Sequence, residues 1–166
     1  MKMSTKAIVL GGLLAAMAVG LKFTSFTLID YRLTFYDIPL VISSIILGPI
    51  VGGIVGFVTD WVYSIAMGYQ IGLFTVSSII WGLTPGLLLI VLRRVNVRTL
   101  IIIILVTSVL AFSANTFALY IMYGSGTLAS LPARIITLMI KLPIQVFAVK
   151  VIYSRVLLPL KIKKGI

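Results

Sequence analysis

Apolar stretches follow one another along nearly the whole chain, separated only by short Gly, Pro and charged punctuation. A bilayer core takes about 20 apolar residues per helix. Without water to satisfy loose backbone groups, a lipid-embedded segment must be helical or part of a closed barrel. The runs fall at 6–21, 37–47, 50–67, 74–92, 99–122 and 132–153 and are continuous rather than alternating, which predicts helices. The expected fold is an all-α integral membrane protein, one domain of six transmembrane helices over residues 1–166. The second run is short for a span. It begins after Asp37-Ile38-Pro39 and ends at Gly48-Pro49, so it either tilts or forms an interrupted hairpin with the third. Only 10% of the residues are charged, against about 25% in soluble domains, which excludes a water-soluble globule.

The basic residues fix an expected orientation. With the N-terminus inside, Lys2, Lys6, Arg93, Arg94, Arg98, Arg155, Lys161, Lys163 and Lys164 all lie in cytoplasmic segments, as the positive-inside rule requires. Lys150 lies close enough to the same interface to snorkel. Both termini are therefore expected in the cytoplasm. Met1–Gly20 also has the outline of a secretory signal, with Ala16-Met17-Ala18 as a cleavage site. Cleavage would place the C-terminal lysines outside, so the segment is read as the first helix. The formal charge of +11 follows from membrane orientation, and no nucleic-acid partner is implied.

Composition narrows the chemistry. Cys and His are absent, which removes thiolate nucleophiles, the usual zinc ligands and the commonest general base. The carboxylates are Asp30, Asp37 and Asp60, with no Glu. No phosphate-binding G-x-x-x-x-G-K-[ST] loop is present. An enzyme, a metal site and a cofactor in this chain are not expected.

Four cations remain unexplained by orientation: Lys22, Arg32, Arg134 and Lys141. An ionised residue inside a span costs roughly 2.5–3.5 kcal/mol on the insertion scale and normally faces a cavity or a partner. Arg134, Thr137, Lys141 and Gln145 follow at helical spacing on one face, with apolar residues between them. Such a stripe suits the wall of a cavity for an anionic solute. The plainer alternative makes Arg134 an interfacial anchor and pairs Lys141 with Asp60. Asp60, with Tyr63 nearby, can neutralise a lysine or accept N–H donors from a heterocycle. Trp81, Tyr31, Phe35 and Tyr36 can stack on a planar ring or form an interfacial aromatic belt. The alternating 22–36 connection predicts a partly ordered, extended flap over the outer face, while Gly68–Gly72 and Gly124-Ser125-Gly126 read as turns.

Small residues stripe two helices. Gly12, Ala16 and Gly20 follow at four-residue spacing, as do Gly11 and Ala15, and Gly52 and Gly56. Such faces let another helix approach closely. With a solute cavity and no nucleotide loop, the first helix is expected to dock a separate driving subunit.

Taken in order, these features resemble the substrate-binding S components of energy-coupling factor (ECF) vitamin transporters. The resemblance rests on the small-residue first helix, Arg32-Leu33-Thr34-Phe35 before Ile38-Pro39, Leu47-Gly48-Pro49 with Gly52-Gly53, and Gly56-x-x-x-Asp60. The segment from Leu131-Pro132-Ala133-Arg134 through Lys141-Leu142-Pro143-Ile144-Gln145 is most similar to the folate-specific branch, whereas the 64–75 stretch departs from it. The resemblance implies a six-helix subunit that binds a vitamin at the outer face and uses no cofactor of its own. It implies docking of a transmembrane coupling protein on Gly11, Gly12, Ala15, Ala16 and Gly20, and ATP use by two cytoplasmic ATPases. Arg32, Arg134 and Lys141 are then assigned to a glutamyl tail and Asp60 to the pterin, with Tyr31, Phe35, Tyr63, Trp81, Thr137 and Gln145 completing the site. The competing readings are an S component for riboflavin, thiamine or pantothenate, and a membrane scaffold of the MreD type.

Overall fold

The computed structural model describes residues 5–28, 31–68, 72–93 and 96–157; Asp30 and the terminal lysines lie outside them. Six α-helices form the described architecture: α1 (Thr5–Phe23), α2 (Asp37–Leu47), α3 (Pro49–Met67), α4 (Leu73–Leu92), α5 (Val97–Tyr123) and α6 (Leu131–Ile152). Each apolar run has become one helix, with ends within a few residues of those read from sequence. α1, α3 and α4 are long and apolar enough to cross a membrane, as is the helical run Val97–Arg155 that contains α5 and α6. α2, with 11 residues, is shorter. The chain is a multi-pass membrane protein.

Punctuation sets the helix boundaries. Gly48 takes φ +90°, a conformation that costs glycine little, and Pro49 opens α3, where its missing N–H is not needed. α2 and α3 are therefore two helices joined by a sharp turn. The Gly124-Ser125-Gly126 segment is not an open turn: Gly124–Ser130 form a 3₁₀ stretch leading into α6. Between α1 and α2 the alternating segment pairs as an antiparallel hairpin, β1 (Phe26–Leu28) with β2 (Tyr31–Leu33), in the register Phe26↔Leu33, Thr27↔Arg32 and Leu28↔Tyr31. The extended flap expected from the sequence is this hairpin, and β2 lies beside α6.

The bundle is apolar outside and partly polar inside. Leu13, Val91 and Phe147 are exposed, whereas Asp37, Thr59, Asp60, Thr107, Arg134 and Gln145 are buried. Lipid solvates the first group at no cost, and the second must find partners among the helices. The tightest seam joins α3 to α4. A Cβ on Gly52 would meet the Gly82 carbonyl oxygen, and one on Gly56 the Ser78 carbonyl oxygen. Gly52 and Gly56 thus bring backbones together inside the bundle, the van der Waals packing that replaces hydrophobic drive in lipid.

α1 resolves its two small-residue stripes. Gly11 and Ala15 are buried, and a Cβ on Gly11 would sit in ordinary contact with Val55 and Leu47. Gly12, Ala16 and Gly20 are exposed, with open space around Gly12 and Gly20. Of the five residues expected to dock a partner, Gly12, Ala16 and Gly20 thus face outward, and Gly11 and Ala15 face the other helices.

Candidate functional site

The buried charges gather at the hairpin end of the bundle, where α1 ends and α2 begins. α1 runs on to Phe23, so Lys22 belongs to its last turn rather than to the connecting loop. There a lysine also meets the favourable negative end of the helix dipole. Its ammonium reaches across to α3 and pairs with Asp60 Oδ1. Asp60 is further fixed by α4: Thr75 Oγ1 donates to Oδ2 at 2.6 Å and Ser78 Oγ donates to Oδ1 at 3.3 Å. Both carboxylate oxygens are occupied by protein donors.

A second pair lies beside the first. Lys141 Nζ, midway along α6, stands 2.6 Å from Asp37 Oδ1 at the start of α2. Asp37 is completely buried. The sequence alternative that joined Lys141 to Asp60 is therefore corrected on both sides: Asp60 takes Lys22 and Lys141 takes Asp37. Asp37 escaped the sequence reading because it sits at a helix start, where an acid is usually solvated capping punctuation. The signal available was its place in front of the apolar α2, next to Ile38-Pro39.

Aromatic rings connect the two pairs. Lys22 Nζ lies 4.7 Å from the Tyr36 ring centroid and 4.9 Å from that of Tyr63, while Lys141 Nζ lies 5.9 Å from Tyr36 and 5.7 Å from Trp81. These are cation–π distances. Tyr36 thus stands between both ammonium groups. Phe23 adds a tilted contact to Tyr63 with centroids 5.2 Å apart. Of the expected stacking residues, Trp81 and Tyr36 line this cluster, together with Tyr63. Phe35 is half-buried beside it in sequence, and the Tyr31 and Arg32 side chains lie outside the described ones.

The polar stripe of α6 faces inward as its spacing predicts. Arg134 and Gln145 are buried, Thr137 and Lys141 are half-buried, and Ile135, Ile136, Met139, Ile140 and Ile144 between them are exposed. Arg134 is 2% exposed, and its guanidinium carbon lies 4.9 Å from the Phe112 ring centroid. Thr137 turns its hydroxyl back to the Ala133 carbonyl at 2.9 Å, so its hydroxyl proton is committed within α6.

A shallow, open groove of about 350 Å³ is lined by Phe112, Ser113, Thr116, Phe117, Tyr120 and Leu128. It lies on the hairpin half of α5. None of the ten residues expected to bind ligand lines it; Arg134 is linked to it through Phe112. Among the described residues no cluster of three or more His, Cys, Asp or Glu is placed to hold a metal.

Known proteins share this fold. A family model described as ECF transporter, substrate-specific component, matches residues 6–153. The crystal structure of FolT bound with folic acid superimposes with a TM-score of 0.77 at 25% identity, covering 92% of this chain and 95% of that one. The structure of the S component of a bacterial ECF transporter superimposes with a TM-score of 0.72 at 23% identity, covering 94% and 98%. No curated protein sequence matches the chain.

Proposed function

The chain belongs to the substrate-specific components of ECF transporters, and from that membership we propose that it captures a folate-type vitamin and delivers it inward. The observation that carries this reading is the likeness to folate-bound FolT over nearly the full length of both chains. The residues are consistent with such a ligand. A vitamin with a flat heterocycle and a dicarboxylate tail needs aromatic walls at one end and cations at the other. Trp81 and Tyr36 supply the walls beside Lys141. Arg134 stands seven residues nearer the hairpin on the same helix, roughly 10 Å along the axis. Arg32 on β2 is the second cation proposed for the tail.

The transporter role is binding and handover, without catalysis. In this reading the hairpin end faces the exterior of a bacterial cell and both termini face the cytoplasm. A transmembrane coupling protein docks on the exposed Gly12, Ala16 and Gly20 stripe, and two cytoplasmic ATPases supply the work. The test is a thermal-shift screen of the detergent-purified chain against folate, riboflavin, thiamine and pantothenate. A ligand that binds the folded state at a hundredfold excess over its Kd adds about 2.7 kcal/mol. Folate alone raising the melting temperature supports the proposal. A rise with another vitamin and none with folate reassigns the substrate, and no rise with any of the four overturns vitamin capture.

A further inference from the structure

α4 carries a proline within its length. Pro85 has no N–H to offer, so the Trp81 carbonyl one turn earlier loses its helical donor, and the proline ring crowds that carbonyl. A helix in lipid tolerates such a break where a neighbouring hydroxyl takes over the freed backbone groups. Here the neighbour is α2. Ser44 Oγ accepts the Gly86 N–H at 2.8 Å and donates to the Leu83 carbonyl at 3.4 Å. One hydroxyl thus spans the backbone ladder on both sides of Pro85.

The surroundings are shaped for this contact. A Cβ on Gly86 would meet the Ser44 carbonyl oxygen and the Pro49 nitrogen, each at 2.8 Å, and Gly82 lies against Gly52. A side chain at either glycine would hold α4 away from α2 and α3. Ser44 is 1% exposed, so no lipid or bulk water reaches its oxygen. Its neighbour Ser43 is buried too, but that hydroxyl donates to the Leu40 carbonyl at 2.7 Å and stays within α2.

The break divides α4 into two parts. Toward the hairpin end stand Thr75 and Ser78, which hold Asp60, and Trp81, whose ring centroid lies 5.7 Å from Lys141 Nζ. On the other side the helix runs on to Leu92. A helix bends most readily where its ladder is interrupted by proline, and a bend at Pro85 would carry Trp81 with it.

We infer that Ser44 is a positioning residue for vitamin capture: it splints α4 across Pro85 and so holds the Trp81 ring beside Lys141. Its hydroxyl is engaged by α4 as both donor and acceptor, so it acts through Trp81 and not on the ligand. The inference rests on the vitamin-capture reading and adds to it a residue one helix away from the ring it controls.

The test uses the full chain in detergent with Trp61→Phe, which leaves Trp81 as the single tryptophan. Time-resolved anisotropy of the ligand-free protein reads the motion of that ring. Ser44→Ala deletes one oxygen and adds no bulk. It is expected to give the decay a fast component, as the ring gains nanosecond motion, and to weaken folate by about three- to tenfold. Ser43→Ala, an equal loss confined to α2, is expected to do neither. Adding Pro85→Ala to Ser44→Ala returns the backbone donor and is expected to remove the fast component and restore folate affinity. A hydroxyl that merely stabilised the bundle would show no such coupling to Pro85. Should Ser44→Ala not fold, Ser44→Cys, with its weaker donor and acceptor, is read in the same way.

An unchanged decay in the folded Ser44 variant, the same fast component in Ser43→Ala, or one that persists after Pro85→Ala overturns the inference. So does wild-type folate affinity in Ser44→Ala. The decay needs no ligand, which separates the two readings. If it follows the expected pattern while wild type does not bind folate, the splint is upheld and the folate assignment fails. If folate binds and the decay does not follow it, vitamin capture stands and the splint falls.

Discussion

Lys22 at the end of α1 is joined to Asp60 in α3, and the same carboxylate is held by Thr75 and Ser78 from α4. One carboxylate therefore ties three helices at the hairpin end of the bundle. Its neighbour pair, Lys141 with Asp37, ties α6 to α2. The two pairs together link five of the six helices through side chains that lipid cannot solvate.

Breaking the first tie leaves a buried charge without its counterion. Asp60→Ala is expected to destabilise the folded protein by about 3–5 kcal/mol, the usual cost of removing one member of a buried pair. Replacing both members, as Lys22→Met with Asp60→Leu, is expected to recover most of that loss, because no uncompensated charge remains. Thermal unfolding in detergent measures both. An Asp60→Ala protein as stable as wild type would remove the pair from the structural account.

Helix contact through glycine predicts a sharp contrast within the small-residue stripes. Gly52→Leu forces side-chain atoms into the Gly82 carbonyl and is expected to abolish folding or lower the melting temperature steeply. Gly12→Leu meets open space and is expected to leave the isolated chain and its ligand binding unchanged. It should block assembly with a coupling protein, which co-purification on tagged partner reads directly. Loss of ligand binding in Gly12→Leu would place the docking face elsewhere.

The two tryptophans should report ligand unequally. Trp81 is 5% exposed beside Lys141, whereas Trp61 is 43% exposed on the outer surface of α3. Quenching of intrinsic fluorescence by bound vitamin is expected to survive Trp61→Phe and to disappear in Trp81→Phe. The reverse pattern would move the ring site out of this aromatic cluster.

Arg134 is the cation proposed for the carboxylate tail. Arg134→Ala is expected to weaken a dicarboxylate ligand by about 1.5–3 kcal/mol, the scale of a charged hydrogen bond. Free pterin, which lacks the tail, should bind the variant as it binds wild type. Calorimetric titration of both ligands separates the tail contact from a general loss of structure.

The helices, their order and the inward face of α6 were legible in the sequence, because lipid makes each of these a local matter. An apolar run must satisfy its own backbone hydrogen bonds, and a polar stripe at helical spacing must turn from acyl chains toward the bundle. Arg134 and Gln145 showed themselves in that way. What the tertiary structure alone decided was which charge meets which, and which glycine stripe faces in. Lys22 reaches Asp60 because α1 continues two residues farther than punctuation suggested, and Lys141 reaches Asp37 because α6 packs beside α2. Gly11 and Gly12 differ by one residue, about 100° of helix rotation, and only the neighbouring helices determine which of them is buried. Coulomb attraction and close packing act between segments distant along the chain, so their outcome is written in the helix arrangement and not in any one run of residues.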